Sequence, residues 1–323
     1  MAELTYRTAI ARGIGQEMER DPRVVFIGED IGPAGGVFKT TVGLFERFGP
    51  DRVRDTPISE QAIIGGIMGA AMNGLRPIGE LMFSDFLAVT FDGVANQIAK
   101  TRYMTGGQVK LPLVIRTANG GGTHFGGQHS QSVENWVMMI PGLKVVAPAT
   151  PRDVVGLMAA AVRDDDPVIF LDHKKLYGLK EDVPDGEIVD VLGKAVVRAS
   201  GSDVTIVALA AMVHVALEAA ARLAESGVSA EVIDLRSLVP LDTAAVLESV
   251  RRTGRLFTVE ENPRLCGWGA EVASIVAEEC IWDLDGPIVR ITTPHIPLPA
   301  AADLEDLAIP SVDRVVRTVL ASA

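Results

Sequence analysis

"TPISEQAIIGGIMGAAMNGLRPIGELMF", residues 56–83, sets a helix against a strand. From Ala62 to Met72 every residue is Ala, Ile, Met or Gly. With no polar face, such a helix is expected to be buried all round. "RPIGELMF" (76–83) then reads as a buried strand, and "SDFLAVTFDGVANQIAKTRYM" (84–104) as a long helix. One carboxylate, Glu60, stands at the head of the apolar run. It is either an ordinary first-turn acid favoured by the helix dipole or a group held there for chemistry.

Working outward, the alternation continues. Residues 5–19 have a helical pattern, and "RVVFIG" (23–28), "LPLVIRT" (111–117), "LKVVAP" (143–148) and "PVIFLD" (167–172) are short apolar runs of the kind that form buried parallel strands. Thr150 followed by Pro151 predicts a capped helix that closes at "DDDP" (164–167). This alternation means an α/β domain around a mostly parallel sheet. "YGLKEDVPDGEIVD" (177–190) is polar and carries six charges, as a connecting segment would. A second, smaller α/β pattern follows: strands at 203–210, 229–235, 255–261 and 287–292, and helices at 212–225, 242–252, 268–280 and near 311–321. The expected organisation is a domain over 1–180, a linker over 181–200 and a second domain over 201–323.

The chain has 323 residues, enough for two cores. It carries 42 acidic against 30 basic residues, a net charge of −12, which argues against nucleic acid or an anionic membrane as its main partner. Cys266 and Cys280 are the only cysteines, too few for a disulfide framework or a zinc quartet. No apolar run is long enough to span a membrane, and the N-terminal stretch has no secretory pattern, so a cytoplasmic location is expected. There is no G-x-G-x-x-G between strand and helix, no P-loop, no H-E-x-x-H and no G-x-S-x-G.

The richest loop is "TANGGGTHFGGQHSQSVENW" (117–136), with five glycines and two histidines after a strand. Loops at the carboxyl ends of parallel strands are where α/β proteins bind ligands, and His129 is expected to open a helix there. Taken alone, the loop is as well explained as flexible glycine with surface histidines. Phe83 and Phe86, beside Asp85, are most simply core residues, and "DDDP" a solvated helix exit.

Together these pieces carry more. "GEDIG" (28–32), "RVRDTPISEQAIIGGIMGAA" (52–71), "GELMFSDF" (79–86), "QIAKTRYMTGG" (97–107), "QHSQS" (128–132), "PGLKVVAPATP" (141–151), "RDDDPVIF" (163–170) and "VIDLRSLVPLD" (232–242) follow one another in order. The chain resembles, from residue 4 to about 320, the β subunit of the thiamin-diphosphate-dependent decarboxylating component of 2-oxo acid dehydrogenase complexes. The resemblance implies two transketolase-like α/β domains, each with a mostly parallel sheet flanked by helices, the first binding the cofactor's pyrimidine. It implies that Glu60 bonds a ring nitrogen of the aminopyrimidine and so activates the thiazolium carbon. It places Phe86 against the pyrimidine, with Met82 as a neighbouring apolar contact, and His129 near the reacting carbon for proton transfer or acyl transfer. His124 matches a histidine found only in some branches. Leu113, Ala161, Val162, Asp164 and Asp166 match positions where related chains hold a structural monovalent cation such as K⁺.

The chain contains no "GDG", the motif through which such enzymes bind Mg²⁺ and the diphosphate. The resemblance therefore implies an α subunit that supplies that half, an α/β heterotetramer dimeric through β, and a lipoyl-bearing acyltransferase as acceptor. "ELMFSDF", "RYMTGG", "HKKLYGLK" and "ENPR" look like acetoin-cleaving relatives, while the general frame equally suits pyruvate dehydrogenase. The alternatives are a branched-chain 2-oxo acid dehydrogenase subunit, half of a split transketolase or deoxyxylulose-phosphate synthase, and a non-catalytic assembly subunit. The split-enzyme reading would need basic residues for sugar phosphates, and 117–136 contains no Lys or Arg.

Overall fold

The computed structural model describes residues 1–322. The chain divides into two compact units: Met1–Asn119 with Trp136–Leu192, and Gly120–Asn135 with the chain from Gly193 onward.

In chain order the first unit begins with β1 (Ala2–Thr5), α1 (Tyr6–Arg20), β2 (Val24–Gly28), α2 (Leu44–Phe48), β3 (Val53–Asp55), α3 (Glu60–Met72) and β4 (Arg76–Phe83). Then come α4 (Leu87–Asp92), α5 (Ala99–Met104), β5 (Val114–Asn119), α6 (Glu134–Met138), β6 (Lys144–Val146), α7 (Pro151–Arg163), β7 (Val168–His173) and β8 (Lys180–Val183). Six strands lie in the order β6-β7-β5-β4-β2-β3, every neighbouring pair parallel. All six residues of β5 and all six of β7 are buried, as strands covered on both faces should be. The N-terminus of α7 is capped as the sequence predicts, Thr150 Oγ1 accepting from Asp153 N–H at 3.2 Å with Pro151 in the first turn.

Helix α3 differs from the expectation. Ile63, Ile64, Ile67 and Ala71 are buried, but Gln61, Ala62, Gly65, Gly66 and Met72 are exposed. The apolar run is therefore covered on one side only. Its open side borders a groove of about 710 Å³ lined by Ala62, Ile63, Gly66 and Ala70 together with Val25 and Ile27 of β2. On the buried side, a Cβ at Gly79 would stand 2.7 Å from Ile67 Cδ1. The strand glycine is what lets α3 seat directly on β4. The expected long helix over 84–104 is helical but changes pitch. A 3₁₀ turn (Ser84–Phe86) leads into α4, a π-helical segment (Gly93–Ile98) follows, and α5 completes it. Gly93 lies at the start of the π segment, where a Cβ would meet Ile64 Cγ2 of α3 at 3.0 Å.

The polar connecting segment is less loose than its composition suggests. Its first part forms β8, antiparallel to β1. Beyond it, Ile188 N–H donates to Gln16 Oε1 at 3.0 Å and Asp190 N–H to Gly156 O at 3.0 Å. The unit boundary falls at Leu192/Gly193.

The second unit contains β9 (Val196–Ala199), β10 (Val204–Ala208), α8 (Ala211–Glu225), β11 (Ala230–Asp234), β12 (Ser237–Val239), α9 (Thr243–Thr253), β13 (Leu256–Pro263), α10 (Trp268–Glu279), β14 (Val289–Thr293), α11 (Ala302–Ala308) and α12 (Val312–Ser322). Its sheet runs β14-β13-β10-β11-β9, parallel except for β9. Strands β9 and β12 and helix α11 are additions to the sequence-based expectation. Among the described residues no helix is long and apolar enough to cross a membrane.

Candidate functional site

The candidate residues fall into two groups, one in each unit. Glu60, Met82 and Phe86 belong to the first. Glu60 opens α3 and is half-buried; Ser59 before it makes no side-chain cap, so the first turn's positive end is left to other acceptors. Along Pro77–Leu87 every residue is buried except Met82 and Phe86. A thioether and an aromatic ring are thus the two side chains that this strand end and turn present outward. Phe86 is braced from behind: its ring meets Phe83 edge-on at 5.9 Å, and Phe83 meets Phe38 edge-on at 5.4 Å. A second carboxylate stands near Glu60. Burial raises the pKa of Glu29, and the neighbouring charges of Asp30 and Glu60 push it the same way.

Beneath this group lies a buried ion network. Arg116 on β5 is 1% exposed and donates to both oxygens of Asp172, at 2.7 Å each. It also donates to Glu80, to Thr40 Oγ1 at 3.2 Å and to Tyr177 OH at 3.2 Å. Tyr177 OH in turn donates to Asp172 Oδ2 at 2.7 Å. Burial still lifts the Glu80 carboxyl above the ordinary range, with Arg116 opposing it. Glu80 pairs in register with Gly28, beside Glu29, so the network fixes the strand ends around the site.

The second group is the glycine loop. His129 is half-buried and sits in a turn, its N–H donating to Gly126 O at 3.2 Å. It does not open a helix; α6 begins five residues later and is a single short turn. Gly120, Gly122 and Gly126 have φ of 83°, 76° and 75°, and His124 has 64°. Those left-handed positions explain the glycines. The loop is tied by two carboxylates that sequence reasoning missed. Glu261 Oε1 accepts from Gly121 N–H at 2.6 Å and from Ser132 Oγ at 2.7 Å. Glu305 accepts from Gly122 and His124 N–H at 3.0 Å each, and its Oε2 lies 2.6 Å from His124 Nδ1. The only signal for Glu261 was its place at the carboxyl end of a buried strand. Glu305, in "ADLEDLA", gave none.

The atoms of the expected monovalent-cation set make contacts within the chain. Arg76 Nη1 donates to Val162 O at 2.9 Å and to Asp164 O at 3.0 Å. Ala161 O accepts from Asp164 N–H and Leu113 O from Val168 N–H. The Asp164 carboxylate takes Lys144 Nζ at 2.6 Å, and Asp166 takes Arg102. The Arg76 guanidinium and the Lys144 ammonium thus stand among these atoms. Among the described residues no group of three or more His, Cys, Asp or Glu is arranged to hold a metal ion.

Comparison with known proteins identifies the two domains and the family. Residues 2–180 match the transketolase pyrimidine-binding domain and 193–315 the transketolase C-terminal domain. The chain is 47% identical to the β subunit of acetoin:2,6-dichlorophenolindophenol oxidoreductase from Cupriavidus necator, over 97% of this chain and 95% of that one. It is 45% identical to the 2-oxoisovalerate dehydrogenase β subunit of Bacillus subtilis and to the pyruvate dehydrogenase E1 component β subunit of Rickettsia conorii, each over 98% of this chain and 97% of the relative. A solved split-gene transketolase, described as an inactive β4 tetramer, superposes with a TM-score of 0.80 at 26% identity, covering 99% of this chain and 98% of that one. The chain belongs to the transketolase-like family of β subunits of thiamin-diphosphate-dependent pyruvate, acetoin and branched-chain 2-oxo acid dehydrogenases.

Proposed function

We propose that this chain, assembled with an α subunit as a heterotetramer dimeric through β, cleaves pyruvate or acetoin and passes the acetyl group to the lipoyl group of a partner acyltransferase. The observation that carries the reading is the selective exposure of Met82 and Phe86 in an otherwise buried strand end, in the same unit as the partly open carboxylate of Glu60. That donor set fits an aminopyrimidine: an aromatic face, an apolar contact and an ionisable oxygen. When bound, thiamin diphosphate supplies a nucleophilic carbon that adds to the substrate carbonyl. Glu60 holds or releases a proton at its carboxylate opposite the ring nitrogen. Glu29 stands near it, its own carboxyl raised by burial and by the charges of Asp30 and Glu60. Phe86, braced by Phe83, orients the ring, and Met82 excludes water from one side of it. His129 donates or accepts a proton at its imidazole during acyl transfer. Mg²⁺ and the diphosphate are assigned to the α subunit, since this chain has no "GDG".

The test is reconstitution with a "GDG"-bearing α subunit, followed by reduction of 2,6-dichlorophenolindophenol. Turnover of pyruvate or acetoin is expected. Turnover of only a branched-chain 2-oxo acid would move the assignment to that branch. The likeness to a split transketolase favours a second reading, with a sugar phosphate as substrate. The absence of Lys and Arg from 117–136 weighs against it, and turnover of sugar phosphate alone would establish it. An assembled complex inert to all of these would end the enzymatic reading.

A further inference from the structure

Residues 120–132 form a closed loop. Gly120 N–H donates to Gln131 O at 3.1 Å, and Glu261 grips both ends through Gly121 N–H and Ser132 Oγ. Asn262, fully buried beside Glu261, donates from Nδ2 to Ser132 O at 2.8 Å and to Glu134 Oε2 at 3.0 Å. Between those ends the chain is held once more, by Glu305. That residue is fully buried, although it lies on the short helix α11 in a run of exposed residues. Its two oxygens are used for the loop: Oε1 for Gly122 N–H, Oε2 for His124 N–H and His124 Nδ1. The approach is close, since a Cβ at Gly121 would stand 3.3 Å from Glu305 Oε1 and 2.7 Å from Leu298 Cδ1. A buried carboxylate is costly unless fully hydrogen-bonded, and here the hydrogen bonds come from a loop. His124, a non-glycine residue at positive φ, keeps that conformation while Glu305 accepts from both its N–H and its ring.

From this geometry we infer that Glu305 is a positioning residue: it fixes the backbone of residues 122–124 and so sets where His129 sits, with Glu261 closing the loop behind it. The inference rests on the proposed role of His129 in acyl transfer. A group that must meet an incoming acceptor needs a defined place, and a glycine-rich loop does not supply one unaided. Glu305 itself does not touch the reacting atoms. It acts through the loop.

Two measurements test it, on Glu305→Ala and on Glu305→Gln, which preserves volume and is the safer variant for folding. The first is amide hydrogen exchange on the full chain. Exchange at Gly122 and His124 is expected to quicken at least about tenfold, as the loss of buried charge-assisted bonds implies, while α8 and β10 keep their protection. Unchanged protection of the loop would overturn the inference whatever the activity shows. The second is a double-mutant cycle with His129→Ala in the reconstituted complex, assayed with a lipoyl acceptor and with an artificial electron acceptor. Each Glu305 variant is expected to lower the lipoyl-coupled rate more than the artificial-acceptor rate, and to add nothing once His129 is Ala. Additive losses, or equal losses in both assays, would make Glu305 merely structural and overturn the inference. If His129→Ala alone leaves both assays unchanged, the proposed role of His129 fails, and with it the positioning role, while the exchange result still reports the loop anchor.

Discussion

The two groups of candidate residues are built in different ways. Glu60, Met82 and Phe86 stand on regular elements: a helix start, the end of a central parallel strand and the turn that follows it. Their places are fixed by packing, with Ile67 against Gly79 and Phe83 between Phe38 and Phe86. His129 stands on a loop with no regular structure, fixed by hydrogen bonds from its backbone to two buried carboxylates far along the chain. A group that must keep its orientation toward a rigid ring is carried by close packing, which deforms little. A group that must meet a mobile acceptor is carried by a loop whose anchoring can be removed one bond at a time. If that contrast is real, perturbing the first group costs chemistry or stability outright, and perturbing the second costs one step selectively.

The largest effect is expected at Glu60. Glu60→Gln keeps shape and removes the ionisable oxygen, so turnover of the reconstituted complex falls by roughly 10²–10⁴, the usual worth of a positioned acid–base group. Thermal stability should hold, because an amide is easier to bury than a carboxylate. Turnover within about threefold of wild type would remove Glu60 from the site.

Next is the framework under it. Arg116→Met leaves Glu80 and Asp172 buried without their counter-charge, at a cost of about 3–5 kcal/mol. Denaturant unfolding measures it. Burial holds the Glu80 carboxyl above the ordinary range, so its stability contribution is full below the unfolded pKa and is lost as pH rises through the folded one. The variant's deficit should therefore be smaller in mild acid, where Glu80 takes up a proton, than above neutrality. A deficit under about 1 kcal/mol at every pH would show that the network contributes little.

The legibility of the sequence follows the same division. Strand–helix alternation predicted both sheets, because buried parallel strands are continuous apolar runs, and the Thr150–Pro151 cap was visible because capping is local. The face of α3 was misjudged: a run of Ala, Ile, Met and Gly has no polar side to mark which face is open, and Gly65, Gly66 and Gly69 have free space where a side chain would be. Helix α11 and its Glu305 were missed because an acidic heptapeptide looks solvated, and only a loop about 180 positions away satisfies its carboxylate. Arg76 was missed for the same reason, its acceptors being carbonyls that have no identity in the sequence.

A smaller and more selective effect is expected from the loop. His129→Ala should reduce acyl transfer to a lipoyl acceptor at least about tenfold more than it reduces turnover with an artificial electron acceptor, since only a step in which its proton moves loses that contribution. Rates measured with both acceptors on one preparation give the ratio directly. Equal losses would assign His129 to an earlier step and erase the distinction between the two groups.

The smallest effect should be none at all, and it tests whether charge in the first group is also built in. The carbonyls of Val162 and Asp164, at the negative end of α7, accept from Arg76, whose Nη2 reaches Asp165 at 2.7 Å. Lys144 neutralises Asp164 beside them. With a fixed guanidinium at this helix end, a dissolved cation of the same charge is expected to add little. Melting temperatures in KCl and in NaCl of equal ionic strength should agree within about 1 °C, far less than the several degrees that 1 kcal/mol produces. Arg76→Met removes donors to two carbonyls and one carboxylate, and a charged donor is worth about 1.5–3 kcal/mol, so that variant should melt several degrees lower. A rise specific to K⁺ in the unaltered chain would mean that Arg76 yields these carbonyls to an ion, and the fixed-charge account of this helix end would fall.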